Sequence, residues 1–115
     1  MYCRSCRKWF PNNILFCDIC GKPLVKDLDI YGENFFNGDV QAFDYIYQNS
    51  YNWVAGEVRK MFLANSSEVE DCVQEIYLLL YRKIKYYDPR QGSFSAWFNA
   101  LVRNRIYDYG RKLAG

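Results

Sequence analysis

Residues 67–84 read "SEVEDCVQEIYLLLYRKI", and the spacing of their apolar side chains decides the fold of most of the chain. Apolar residues recur every three or four positions, as on one face of an α-helix. The stripe consists of Val69, Cys72, Val73, Ile76, Leu79, Leu80 and Ile84. We therefore predict a helix from Ser67 to about Lys85, with Cys72 as a core residue rather than a reactive thiol.

The other side of this helix is acidic with an apolar tip. It carries Glu70, Asp71, Gln74, Glu75 and Leu78. Such a surface suits a partner of opposite charge. The alternative is structural, because carboxylates in a first turn also stabilise a helix through its dipole.

A second long helix follows the loop "YYDPRQGSF" at residues 86–94. Asp88 and Pro89 end the first helix, and Ser93 is placed to cap the next. Its core stripe is Phe94, Trp97, Phe98, Leu101, Val102 and Ile106. Its other face carries Asn99, Arg103, Asn104, Tyr107 and Arg111. These residue types suit phosphate and base contacts, although a solvated basic helix fits the pattern equally well.

Two shorter helical patterns precede residue 67. One places Val40, Phe43, Ile46 and Tyr47 on a common face, and the other does so for Val54, Val58, Met61 and Phe62. Gly56 in the second is either a close-packing point or a weakness. Residues 27–34, "DLDIYGEN", are interpreted as linker. The predicted organisation is a small module at 1–27, a linker at 28–37 and a four-helix domain at 38–115, so the fold class is mainly α.

Four of the five cysteines lie in "YCRSCRKWFPNNILFCDICGKPL", residues 2–24. Cys3 with Cys6 and Cys17 with Cys20 form two C-x-x-C pairs, a spacing that directs four thiolates at one Zn²⁺ ion. Gly21 after the second pair supplies the backbone freedom of a metal knuckle, and Arg7 and Lys8 after the first pair do so less well. The stretch resembles the zinc-ribbon family along its whole length, which implies a structural zinc site with four cysteine ligands.

Composition and charge restrict the class of protein. The chain has 115 residues and 50% hydrophobic residues. It has no apolar signal sequence and no membrane-length apolar run, so a cytoplasmic location with reduced thiols is expected. Residues 1–27 carry five Lys/Arg and two Asp/Glu (+3), residues 28–81 carry two and nine (−7), and residues 82–115 carry eight and two (+6). The asymmetry indicates either partners of opposite charge or two solvated faces of one domain.

Residues 38–112 resemble region 2 of the bacterial sigma-70 family, especially its extracytoplasmic-function type. The stretches that carry the resemblance are "GDVQAFDYIYQNSYNWV", "SEVEDCVQEIYLLLYRKI" and "YYDPRQGSFSAWFNALVRNRIYDYGRK", in that order. The resemblance implies a transcription initiation module that is not an enzyme. It would bind core RNA polymerase and recognise and melt the −10 promoter element. An anti-sigma factor is a further candidate partner, and no membrane contact is expected.

The resemblance assigns a partner to each face. Glu70, Asp71, Gln74, Glu75 and Leu78 would dock on the clamp coiled coil of the largest polymerase subunit. The non-template DNA strand would meet the phosphate-binding Arg103, Arg105, Arg111 and Lys112, with Asn104 at the upstream edge of the element. The loop from Tyr86 to Phe94 would hold an unstacked base, with Tyr86, Tyr87 and Phe94 as stacking surfaces. Arg90, Asn99 and Tyr107 complete the predicted DNA-binding set.

Two alternatives remain open. One is a regulator that occupies the polymerase clamp without initiating transcription, and the other is a zinc-ribbon RNA-binding protein whose helices are a scaffold. The sequence also departs from the resemblance. The N-terminal ribbon is an addition to the usual plan, and a region that reads the −35 element is absent from these 115 residues.

Overall fold

A computed structural model describes the backbone of residues 1–61 and 66–114, and the side chains of 1–61 and 67–110. The elements follow the order β1 (Tyr2–Cys3), β2 (Lys8–Trp9), α1 (Asp27–Phe36), α2 (Gln41–Met61), α3 (Ser66–Lys83), a 3₁₀ turn (Ile84–Tyr86) and α4 (Phe94–Ala114). The fold is mainly helical with a small cysteine-rich module at its N-terminus, as predicted. None of the helices in the described part of the chain combines the length and apolar character needed to span a bilayer.

The N-terminal module is held by short antiparallel pairings. Strands β1 and β2 pair Tyr2 with Trp9 and Cys3 with Lys8. A bridge from Tyr2 to Val25 returns the end of the module to its first strand, and a second bridge joins Phe16 to Pro23. Its own small core consists of Cys3, Cys17 and Leu24, with Met1, Cys6, Phe10 and Ile14 packed around them.

The predicted linker at 28–37 is wrong, because helix α1 occupies Asp27–Phe36. Gly32 and Asn34 are poor helix formers and obscure the pattern. The helix is nevertheless secured by burial of Ile30 and Phe35. It ends at Phe36, and Gly38 two residues later has a positive φ of 104°, as glycines after a helix often do.

The two predicted helices before residue 62 are a single helix, α2. The polar run around Ser50 suggests a break but does not cause one. The Ser50 hydroxyl is buried and hydrogen-bonds to the Ile46 carbonyl at 2.5 Å and to the Tyr77 hydroxyl of α3 at 2.7 Å. Its polar group is therefore satisfied inside the helix. Val40, predicted in the core, is exposed, as is Met61. Phe62 lies outside the described residues.

Helices α3 and α4 follow their predicted stripes closely. Helix α3 begins one residue before the predicted Ser67 and ends at Lys83, after which the 3₁₀ turn continues to Tyr86. The Ser93 hydroxyl accepts a hydrogen bond from the Ala96 amide at 3.2 Å, which confirms the predicted cap of α4. The fully buried side chains of the two helices include Cys72, Val73, Ile76, Leu80, Phe94 and Val102.

Gly56 is not a close-packing point, so that interpretation is wrong. A Cβ at this position would have no neighbour within 4 Å among the described residues, and the residue lies inside α2.

Replacing Gly56 with alanine should therefore raise the free energy of unfolding by about 1 kcal/mol, since alanine loses less conformational entropy in a helix. Urea denaturation of the two proteins would measure the difference, and a lower stability for the alanine variant would contradict the open environment.

Candidate metal site and nucleic-acid interface

The four N-terminal cysteines converge as predicted. Their Sγ atoms all lie within 4.8 Å of one another. The sulfur atoms of Cys3 and Cys20 are 3.6 Å apart, and those of Cys6 and Cys17 are 3.7 Å apart. Four thiolates at about 2.3 Å from a tetrahedral Zn²⁺ would be roughly 3.8 Å from each other. These separations therefore fit a four-coordinate zinc site and are too long for disulfides.

The two halves of this site are built alike. The amide of Cys6 donates to the Cys3 sulfur at 3.3 Å, and the amide of Ile19 donates to the Cys17 sulfur at 3.4 Å. The residue after each pair has positive φ, 54° at Arg7 and 74° at Gly21. Arg7 therefore has a left-handed backbone conformation that usually favours glycine. Gly21 was predicted in this role, and Arg7 was one of two candidates after the first pair, with Lys8.

The thiol chemistry also favours a cation. The pKa of Cys17 is lowered to about 7 by backbone amides that point at its sulfur. The hydrogen bond with Cys17 raises the pKa of Cys6. Neighbouring thiols of this kind cannot all ionise together unless a cation compensates their charge. The fifth cysteine is different, because burial in the helical core raises the pKa of Cys72 to about 11. It is a core residue, as predicted.

The acidic surface of α3 is present, and its apolar part is larger than predicted. Glu70, Asp71, Gln74 and Leu78 are exposed. Leu78 and a residue that the sequence interpretation missed, Tyr81, each expose 56% of their surface. Tyr81 follows Leu78 by three positions, so helical spacing was the signal that could have found it. The Glu70 carboxylate accepts a hydrogen bond from the Tyr51 hydroxyl of α2 at 3.0 Å.

Glu75 and Arg105 were predicted to contact different partners, but they form an ion pair with each other. The pair joins α3 to α4, and only 21% of the Arg105 side chain is exposed. Arg105 is therefore engaged within the protein and serves to fix the two helices relative to each other. The residues are 30 positions apart, so no local pattern in the sequence indicates the contact.

The aromatic residues of the loop differ in exposure. Tyr86 is 70% exposed, whereas Tyr87 and Phe94 are buried. Tyr87 also donates its hydroxyl to the Gly92 carbonyl at 2.9 Å. The prediction that Tyr87 and Phe94 offer stacking faces is therefore wrong, because the core uses both rings. They shape the loop, and Arg90 at its tip pairs with Asp88 at 3.2 Å.

A pocket and a groove meet at two aromatic side chains. The loop and the first turn of α4 line an open pocket of about 420 Å³ whose walls include Tyr86, Gln91 and Trp97. A groove of about 830 Å³ between α3 and α4 is lined by the same Tyr86 and Trp97 and continues to Lys83 and Asn104. Trp97, Gln91 and Lys83 were not among the predicted contacts. Trp97 was hidden because it falls on the apolar stripe of α4.

The remaining predicted contacts lie elsewhere on α4. Arg103 and Tyr107 are exposed and line a separate hollow against the end of α2. Asn99 is half-buried, and its Oδ1 atom is buried without a hydrogen-bond partner in the described part of the chain. The side chains of Arg111 and Lys112 lie outside the described residues. The predicted DNA face is thus divided between two sides of one helix.

Comparison with known proteins identifies this combination of helices. The family model of sigma-70 region 2 matches residues 46–115, which is more than half of the sequence. The chain therefore belongs to the sigma-70 family, in the part described as region 2.

Curated proteins similar to this chain include ECF sigma factors. The chain is 34% identical over 85 residues to "ECF RNA polymerase sigma factor SigK" of Mycobacterium sp. (strain KMS), an alignment that covers 74% of this chain and 44% of the relative. It is 31% identical over 85 residues to the protein of the same name from Mycobacterium tuberculosis (strain ATCC 25618 / H37Rv), covering 74% of this chain and 45% of that relative. The chain thus spans less than half the length of these relatives. No solved structure matches it.

Proposed function

We propose that the chain is a transcription initiation module in which α4 and its preceding loop bind single-stranded promoter DNA while the exposed face of α3 docks on core RNA polymerase. The polymerase would do the chemistry. The module would bind the non-template strand of a −10-like element and so favour its melted state. We further propose that the N-terminal site holds one structural Zn²⁺ ion, because the four sulfur atoms already have the separations of its ligands.

The observation that carries this proposal is the continuity of the loop pocket with the α3–α4 groove through Tyr86 and Trp97. A pocket walled by one exposed and one half-exposed aromatic ring suits an unstacked base. A groove that leads from it past Lys83 and Asn104 gives the neighbouring nucleotides a path with a cation and an amide. Aromatic surface, amide and cation are the groups that single-strand recognition uses.

The proposed polymerase face rests on exposure and charge. Asp71 and Gln74 flank Leu78 on one side of α3, and all three are exposed. A carboxylate and an amide beside an apolar centre are suited to a partner rich in arginine, because the apolar centre excludes water from the charged contact. Glu75 is assigned a positioning role instead, since its carboxylate already pairs with Arg105.

The test of DNA binding uses the complex with core polymerase and short single strands. Replacing Asn104 with alanine should reduce the preference for a −10-like strand over a scrambled strand by roughly 1–3 kcal/mol if the amide reads a base. Replacing Lys83, the cation that lines the groove, with alanine should weaken binding to both strands and reduce the salt dependence by about one phosphate contact. Titrations by fluorescence anisotropy at several salt concentrations give both quantities.

The matched control is Asn52→Ala, which removes an exposed amide from α2. It should leave both affinity and preference unchanged. A complex that forms but shows no preference among strands, with Asn104→Ala without effect, would exclude the DNA-reading role. A polymerase-bound regulator that does not initiate transcription would then be the better account.

A further inference from the structure

Helix α1 lies before the residues that match the family model, yet it contacts both the cysteine module and the start of α4. Its contacts with the cysteine module are aromatic and ionic. The rings of Trp9 and Tyr31 stack with centroids 5.7 Å apart, and Tyr31 stacks in turn on Tyr45 of α2 at 3.6 Å. Arg4, inside the first cysteine knuckle, forms a two-point ion pair with Glu33, with both N···O distances 2.9 Å.

Helix α1 also holds the N-terminus of α4. Asp29 is only 9% exposed, and its Oδ1 atom accepts hydrogen bonds from the Ser95 amide at 2.7 Å and from the Ser95 hydroxyl at 2.5 Å. Ser93 satisfies the next amide of that turn. The start of α4 therefore has two caps, one local and one supplied by a residue 66 positions away. A carboxylate at this end also stabilises the helix dipole.

Two apolar contacts fix the same junction. A Cβ on Gly32 would lie 2.0 Å from the Phe94 ring, so only glycine allows α1 to approach the first residue of α4 this closely. The ring of Phe36 meets Tyr87 edge-on at 5.7 Å. Phe94 and Tyr87 stand at the two ends of the loop that forms the pocket. Helix α1 therefore contacts both ends of that loop.

From these contacts we infer that α1 is a brace, with Asp29 as the positioning residue that sets the pocket loop and the first turn of α4, and that the cysteine module holds α1 in place. This assigns the additional N-terminal module a role in strand recognition without contact to DNA. The effect on strand recognition rests on the proposed function, whereas the effect on the loop does not.

The first test measures amide hydrogen exchange by NMR in the full-length, zinc-loaded protein. The Ser95 amide is compared with that of Val73, which lies in the buried core of α3. Asp29→Ala should accelerate exchange at Ser95 about fivefold more than at Val73, the usual consequence of losing a helix cap. Asp29→Asn keeps an oxygen acceptor and should restore most of the protection. Asp44→Ala, which removes an exposed carboxylate from α2, is the control and should change neither amide.

The second test removes the contacts of Trp9 and Arg4 with α1 and changes no residue of α4. Trp9→Ala with Arg4→Ala should also accelerate exchange at Ser95 relative to Val73. With core polymerase, Asp29→Ala should lower the preference for the −10-like strand about fivefold, the equivalent of one lost cap, and Asp29→Asn should restore it. The brace would be overturned if Asp29→Ala accelerated amide exchange equally at Ser95 and Val73. It would also be overturned if the Trp9 and Arg4 changes left exchange at Ser95 unaltered. If wild-type complex shows no strand preference, the proposed function fails, while the exchange experiment still decides whether α1 is a brace.

Discussion

Replacing Cys17 with serine is expected to abolish zinc binding and to unfold residues 1–25, while α2, α3 and α4 keep their structure. The wild-type protein should contain one zinc ion per chain, and the variant should contain none. The effect should be large because three apolar residues, Cys3, Cys17 and Leu24, make up the buried core of this module. So few residues bury too little surface to fold unaided. Structural zinc sites in small modules contribute about 10–16 kcal/mol of apparent binding free energy, and most of that is folding free energy.

The helices should survive because their core is separate. It is a second cluster built around Ile46, Val54, Ile76, Leu80 and Phe98. The melting temperature should nevertheless fall moderately, because the variant loses the stack of Trp9 on Tyr31 and the pair of Arg4 with Glu33. Elemental analysis gives the zinc content, and far-ultraviolet circular dichroism follows the helices during thermal unfolding.

Cys72→Ala is the matched control for the loss of a thiol. Cys72 lies in the helical core, so this variant should keep its zinc and lose only packing energy. Freshly purified, reduced wild-type protein without zinc would contradict the metal site. So would a Cys17→Ser variant that still binds one equivalent of zinc with the affinity of the wild type.

Local patterns were sufficient to predict the cysteine knuckles and the last two helices. The C-x-x-C spacing indicated the four ligands, and Gly21 has the positive φ expected of it. The stripes of α3 and α4 coincide with buried residues because each helix lies with one face on the core. Ser93 caps α4 because capping depends on the few residues around a helix start. Each of these features is decided by residues that are close together in the chain.

The features that were missed depend on residues far apart in the sequence. Helix α1 was interpreted as a linker because Gly32 disfavours a helix. The close approach of the Phe94 ring explains this glycine, and Phe94 lies 62 positions later in the chain. In the sequence, Asp29 cannot be distinguished from a surface carboxylate, and only the structure shows its contact with Ser95. The burial of Tyr87 follows from its contact with Phe36 on α1. No periodicity reveals such pairs, so an interpretation based on periodicity assigned these residues to linker or to ligand contacts.

The second large effect is expected at the polymerase. The double variant Asp71→Lys with Leu78→Ala should weaken binding to core RNA polymerase about a hundredfold or more. It replaces an attractive charge with a repulsive one and removes the apolar centre of the proposed interface, and such central contacts dominate binding energy. Both side chains are exposed, so the free energy of unfolding should change by only about 0.5 kcal/mol. Surface plasmon resonance with immobilised core enzyme measures the affinity.

The choice of residues matters because the acidic face is not uniform. Reversing Glu75 would place a lysine against Arg105 and separate α3 from α4, so lost binding in that variant would not distinguish an interface from a damaged fold. Asp44→Lys with Val40→Ala is the proper control, since it makes a charge reversal and an apolar truncation at exposed positions around the start of α2. Equal loss in both double variants would indicate a general effect of charge. Wild-type affinity in Asp71→Lys with Leu78→Ala would remove α3 from the polymerase interface and leave its acidic face as a solvated surface.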